Sequence, residues 1–139
     1  MTNANRFFRF GVVGVVGFIV DAAVLSLLVS AGGGVYASRL ASFPSAVTVT
    51  WYLNRKWSFH GQATTRPIME YGLYFGVQIV AALANLAAYA VVLNRMFNDQ
   101  TAMVIPALAV GAGLGLVINF IGARALVFTG HAPQLDPPR

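Results

Sequence analysis

The sequence predicts an all-α integral membrane protein whose four transmembrane helices form two weakly repeated helical hairpins, and three observations carry that expectation. Of the 139 residues, 58% are hydrophobic and 9% are charged, with a mean hydropathy of +0.70, whereas soluble domains carry roughly 25% charged residues. Apolar runs long enough to cross the ~30 Å hydrocarbon layer as helices follow one another along the chain. The basic residues fall at the ends of those runs, as topogenic charge does. The net charge of +5 and pI near 10.3 therefore do not read as a nucleic-acid surface, because no basic face on a soluble module goes with them. With no cysteine, a disulfide framework and thiolate metal sites are both excluded.

The first helix is expected over about residues 7–30, stopped by Gly32, Gly33 and Gly34. Its basic start and the Val29-Ser30-Ala31 triplet imitate a secretory leader, but the apolar run is longer than a leader's core and is interrupted by Asp21. The second helix spans about residues 35–54 and contains Pro44, where a kink is expected and where Ser and Thr hydroxyls can satisfy the freed backbone groups. Polar residues from Arg55 to Pro67 mark the one sizeable internal loop. The third helix covers about residues 69–93, a short turn runs from Asn94 to Gln100, and the fourth covers about residues 101–123 with Pro106 early enough to be tolerated. Residues 1–129 thus read as a single four-helix domain, and residues 130–139, with three prolines, as a disordered cytoplasmic tail.

In a four-crossing arrangement Arg6, Arg9, Arg55, Lys56, Arg66, Arg124 and Arg139 share one side, while only Arg39 and Arg95 lie at or near the other. That bias places both termini in the cytoplasm. The halves also resemble one another: Phe10-Gly11-Val12 opens the first helix as Phe75-Gly76-Val77 opens the third, and Arg55 to Phe59 ends the second much as Arg124 to Phe128 ends the fourth. Two helices return the chain to its starting side, so this is a parallel repeat of the kind from which transporters build a central site.

Polar residues inside apolar helices are the first candidate site. Asp21 sits deep in the first helix, where translocon scales put a carboxylate at about +2.5 to +3.5 kcal/mol, so it needs a partner or a wet cavity. Arg39 is the expected partner; a fixed ion pair, a substrate or proton site, and an interfacial role for Arg39 are the open readings. Gln78 and Asn85, seven residues apart, share one face of the third helix, either as interhelical glue or as a groove lining. In the fourth helix Ala107, Gly111, Gly115 and Asn119 step by four. Close helix contact is expected there, within one chain or in a homo-oligomer. A catalytic function is not expected, because His60 and His131 lack metal-ligand spacing, no nucleophile and base are paired, and the acids are dispersed; no metal or cofactor is expected either. Gly11, Gly14 and Gly17 read as packing positions.

The second candidate site is the basic rim, Arg6, Arg9, Asn54, Arg55, Lys56 and Arg124, where guanidinium groups suit a lipid phosphate or serve only for topology and attraction to anionic membrane lipids. At this point the residues carry a resemblance. Arg9-Phe10-Gly11-Val12-Val13-Gly14, the Tyr52-Leu53-Asn54-Arg55-Lys56-Trp57-Ser58-Phe59 run, and Asn119 followed by Arg124-Ala125-Leu126-Val127-Phe128 resemble the GtrA-like family of small four-helix membrane proteins, over about residues 6–128. That resemblance implies flipping of a polyprenyl-phosphate-linked sugar across the bacterial inner membrane for cell-envelope polysaccharide synthesis. The alternatives are a scaffold that recruits or stabilises a membrane glycosyltransferase and a proton-coupled exporter of small cations using Asp21.

The orientation is directly testable, because the chain has no native cysteine. Single cysteines at Gly61 and Gln134 are expected to be shielded from an impermeant thiol reagent in intact cells, and those at Gly33 and Asn98 to react. Labelling of Gly61 from outside would reverse the topology drawn from the cation bias.

Overall fold

The computed structural model describes residues 2–95 and 100–130 and is helical with no strand among them. The expected 130–139 tail beyond Gly130 and most of the Asn94–Gln100 turn lie outside the described residues. Helix α1 spans Asn3–Ser30, α2 Val35–Leu53, α3 Pro67–Arg95 and α4 Gln100–Gly122. Three stretches are long and apolar enough to cross a membrane, Asn3–Ser30, Pro67–Val92 and Leu108–Val127. Helix α2 carries Ser38, Arg39, Ser42, Ser45, Thr48 and Thr50 and is not one of them.

Helix α1 ends where the glycines predict. Gly32 takes φ +90°, which side-chain-bearing residues seldom adopt. The Gly32 amide donates to the Val29 carbonyl at 3.0 Å and that of Gly33 to the Leu28 carbonyl at 2.9 Å. That pair of bonds satisfies carbonyls left over at a helix end. Helix α2 continues through Pro44: the Ser45 hydroxyl donates to the Ala41 carbonyl and that of Thr48 to the Pro44 carbonyl, each at 2.8 Å. The hydroxyls thus occupy carbonyls around the position where proline supplies no amide.

Both α2 and α4 run on past their expected ends as π-helical segments, Asn54–Ser58 and Ala123–Val127. Each closes with the same long-reach bond, the Phe59 amide to the Asn54 carbonyl and the Phe128 amide to the Ala123 carbonyl, both at 2.8 Å. These are the two stretches that the sequence pairs as repeats. The shared backbone distortion extends the likeness of the halves from residue types to an uncommon geometry, which occurs mostly as single turns within α-helices and is frequent at functional sites.

The π-helical segments deliver Phe59 and Phe128 to one point, where their rings stack at 4.7 Å with planes 14° apart. Phe10 meets Phe59 and Phe120 edge-on at 6.1 and 5.5 Å, and Tyr74 approaches Phe128 at 6.1 Å. Phe10, Phe59, Tyr74, Phe120 and Phe128 are buried together with Val47, Val77, Ala123 and Val127. All four helices contribute, so the core lies at the basic end of the molecule. Offset and edge-to-face aromatic pairs are worth about 0.5–1.5 kcal/mol each beyond burial.

Elsewhere α1 lies chiefly against α2 and α3 chiefly against α4. The small residues of α4 set the second contact: a Cβ at Gly111 would stand 2.7 Å from the Asn85 carbonyl oxygen, one at Gly115 3.2 Å from that of Ala81, and one at Gly122 2.7 Å from Val77 Cγ1. The four-residue step of α4 is therefore used within the chain. Gly17 plays the same part on α1, closed over by the Thr50 side chain, whereas Gly11 and Gly14 have open space above them.

Gly111→Ala is expected to lower stability in detergent by roughly 1–3 kcal/mol, the usual cost of overpacking. Gly113→Ala, where nothing lies within 4 Å, should be close to neutral. Equal thermal midpoints for the two variants would mean that α3 and α4 do not approach as closely as described.

Candidate functional site

Beside the aromatic core the helices leave a cavity of about 270 Å³ lined by α1, α2, α3 and α4. Phe10 and Val47 of the core form part of its wall, while Asp21 and Arg39 line it too. Between them stand Thr50, Asn54, Tyr74, Gln78 and Asn119. A polar lining of that density in an otherwise apolar helical unit is costly unless the groups bond to one another or to something in the cavity.

Part of that requirement is met internally. The Asn54 amide nitrogen donates to the Tyr74 hydroxyl at 2.9 Å, and the Asn119 amide nitrogen donates to the Gln78 carbonyl oxygen at 2.7 Å. Thr50 donates to the Val47 carbonyl at 3.0 Å. Arg39 meets Asp21 at 2.5 Å, as the sequence led us to expect, with the arginine side chain 54% open and that of the aspartate 15%. One oxygen of each of Asp21, Asn54 and Asn119 remains buried without a protein partner. These acceptors are directed at no donor of the protein, and buried acceptors of this kind bind water or a polar ligand.

The structure thus brings together Asp21, Arg39, Gln78 and Asn119 of the expected intramembrane set, and adds Asn54, which was expected on the basic rim but is buried in the cavity wall against Tyr74. Asn85 lines a neighbouring cleft of about 490 Å³ together with Gln78, Asn119, Gly11 and Gly14. Asn85 also abuts Gly111 and Gly115, so on the third helix it packs against α4 as well as facing that cleft.

The basic rim divides. Lys56 and Arg124 are exposed and Arg6 is half-buried at the end of the molecule where the π-helical segments lie. Arg9 donates to the Trp57 carbonyl at 3.2 Å and sits over its ring at 5.2 Å. Arg55 is engaged more fully: it pairs with Glu70 at 2.5 Å, donates to the Thr64 carbonyl at 3.0 Å and lies 5.7 Å over the Trp51 ring. Glu70 itself has a wholly buried side chain and also accepts from Trp51 Nε1 at 3.0 Å and from the Thr64 amide at 2.7 Å. Arg55 is therefore part of an internal clip holding the 60–66 loop to α2 and α3.

Glu70, Tyr74 and Thr50 were not anticipated from sequence. A signal did exist for two of them: Glu70, Tyr74 and Gln78 step by four along α3 and so share one helix face, on the side that meets α2. That face presents a carboxylate, a phenol and an amide in an apolar helix, and the first of them reaches Arg55.

Among the described residues no group of three or more His, Asp or Glu side chains is placed to hold a metal ion. What the arrangement offers instead is a set of neutral hydrogen-bonding groups, one ion pair and an aromatic seal at the basic end. Compared with known protein families, residues 9–128 match the GtrA/DPMS transmembrane domain, and the chain belongs to that family of membrane proteins.

Proposed function

We propose that the chain moves a polyprenyl-phosphate-linked sugar across the inner membrane for cell-envelope polysaccharide synthesis, crossing the bilayer four times as two repeated helical hairpins with both termini in the cytoplasm. The observation that carries this reading is the polar cavity, whose unpartnered Asp21, Asn54 and Asn119 oxygens suit the hydroxyls of a sugar. Membership of the GtrA/DPMS family supports it from another direction, since that family is tied to sugar metabolism on glycosyl-carrier lipids.

In this mechanism the sugar enters a cavity that supplies hydrogen bonds in place of water, while the prenyl chain stays in lipid. The aromatic cluster of Phe10, Phe59, Phe120 and Phe128 seals the basic end in the conformation described, and alternating access requires it to part. The π-helical segments, whose bonds are closed only by the five-residue step, are the elements that can yield. Exposed Lys56 and Arg124, with Arg6, meet the phosphate at the mouth. Arg55 and Arg9 hold the mouth's shape through Glu70 and Trp57.

In liposomes carrying the purified protein alone, transfer of a polyprenyl-phosphate sugar between leaflets is expected. Gln78→Leu and Asn119→Leu should each slow transfer at least tenfold with insertion intact, because each removes lining acceptors and leaves its partner amide unpaired. No transfer by the parent protein would favour a scaffold that serves a glycosyltransferase. Transfer unaffected by both substitutions would remove the cavity from the mechanism.

The ionic groups give a second test. Asp21→Asn and Arg39→Gln are each expected to lower the thermal midpoint in detergent, by less than the about 3–5 kcal/mol of a wholly buried pair because Arg39 is half open. Exchanging the two residues should recover part of the loss. Arg55→Gln is expected to be destabilising as well, since it strands the buried Glu70 carboxylate, whereas Arg124→Gln should leave the midpoint unchanged and weaken binding of the lipid phosphate. A stable Arg55→Gln protein would contradict the clip.

A further inference from the structure

On the opposite side of the α3 and α4 contact from the polar cavity lies a trough of about 530 Å³ lined by Gly72, Leu73, Gly76, Val80, Ile118 and Ile121, with Val77 and Gly122 at its floor and Leu126 at its end. Its lining is almost wholly apolar. Val77 is buried, packed into the space that Gly122 leaves, whereas Val80, Ile121 and Leu126 are exposed along the flanks. A Cβ placed on Gly72 or Gly76 would meet nothing within 4 Å, so the two glycines leave the trough open.

The trough does not end in lipid on both sides. Leu73 and Leu126 also line a second, smaller cavity of about 200 Å³, whose other walls are Thr64, Thr65, Arg66, Met69, Glu70, Val127 and Thr129. Glu70 is occupied by Arg55, Trp51 and Thr64. Arg66 is exposed, and its guanidinium has no partner among the described residues. The two cavities share Leu73 and Leu126 and so adjoin along α3 as one amphipathic groove, cationic and hydroxyl-lined at the basic end and apolar for about 12 Å, the helical rise from Gly72 to Val80.

We propose that this groove is the docking site of a single-chain prenyl phosphate, its phosphate on Arg66 among the threonine hydroxyls and its chain in the Gly72 and Gly76 trough. One cation at the mouth of one trough matches one phosphate on one chain; a two-chain phospholipid would leave an acyl chain with no groove. The glycine gaps admit the methyl branches of an isoprenoid where a continuous wall of side chains would not. The proposal borrows the carrier-lipid class from the function proposed above. It assigns that lipid a docking place that precedes transfer, separate from the polar cavity and from the Lys56 and Arg124 mouth, and the lipid leaves this groove before its sugar enters among the polar residues.

The probes are farnesyl phosphate, farnesol and inorganic phosphate, measured by equilibrium binding to the full chain in phosphatidylcholine nanodiscs, with phosphatidylglycerol as competitor. Gly76→Leu, whose Cβ has nothing within 4 Å, places a side chain in the trough and is expected to weaken farnesyl phosphate and farnesol alike, about tenfold. Arg66→Gln is expected to weaken farnesyl phosphate about tenfold and leave farnesol unchanged, with inorganic phosphate binding weakly throughout. Thermal midpoints of both variants should equal the parent's, which separates loss of the groove from loss of fold. Unchanged farnesyl phosphate binding in both variants, or displacement by equimolar phosphatidylglycerol, would overturn the proposal. Binding that is lost as expected in a protein that transfers no sugar lipid would uphold the groove and reject the flipping mechanism. Transfer with farnesyl phosphate binding unaltered by either variant would do the reverse.

Discussion

The stack of Phe59 on Phe128 is the contact through which the two halves of the chain are held in register, and most of the architecture follows from where it lies. It sits at the ends of α2 and α4, so the helices are pinned together at their basic ends and bound elsewhere mainly in pairs. The polar cavity begins beside that pinned end, where Phe10, Asn54 and Tyr74 form part of its wall. The Asp21 and Arg39 pair lines it, and the Asn54 and Tyr74 bond lies close to the aromatic seal. Without the convergence of the π-helical segments, neither a sealed end nor a sheltered polar interior would exist.

Charge is distributed to match. Cations that face inward are neutralised by specific partners, Arg55 by Glu70 and Arg39 by Asp21. Lys56, Arg66 and Arg124 remain exposed at the basic end. An apolar helical unit supports few unpaired charges, so these two classes of cation have different work: the paired ones fix geometry, and the exposed ones are available to anions. Arg55 and Arg124 occupy equivalent places in the two halves yet fall in different classes, because among the described residues only the first has a carboxylate within reach.

The helical character of the chain and the glycine stop of α1 could be read from hydropathy and turn chemistry, and the small residues of α4 lie at a close helix contact as expected; α1 begins earlier than expected, at Asn3, and α2 is not among the long apolar stretches. The Asp21 and Arg39 contact was legible as well, since a carboxylate deep in an apolar helix has few ways to be satisfied. The π-helical turns were not legible. Composition at Asn54–Ser58 and Ala123–Val127 reads as ordinary helix end, and the widened turns go with a contact remote in sequence, the stack of Phe59 on Phe128. The Glu70 clip escaped notice because a single acid near a helix start is usually a favourable dipole partner, and nothing local indicates that it turns inward. Arg55 was accordingly assigned to the rim, whereas its bonds run to Glu70 and Thr64.

The polar character of α2 bears on how such a chain enters its membrane. On the proposed topology α2 crosses with Arg39, three serines and two threonines, and is the helix whose sequence falls short of a self-sufficient span. Partition of an arginine into hydrocarbon costs about 2.5–3.5 kcal/mol on insertion scales, and Asp21, already synthesised on α1, offsets that cost only if both helices are present together. Helix α2 is then a passenger of α1 during biogenesis, held at the insertion machinery until the glycine turn lets the two side by side enter as one unit. On this account Asp21 serves the entry of α2 into the membrane as well as the stability of the folded protein.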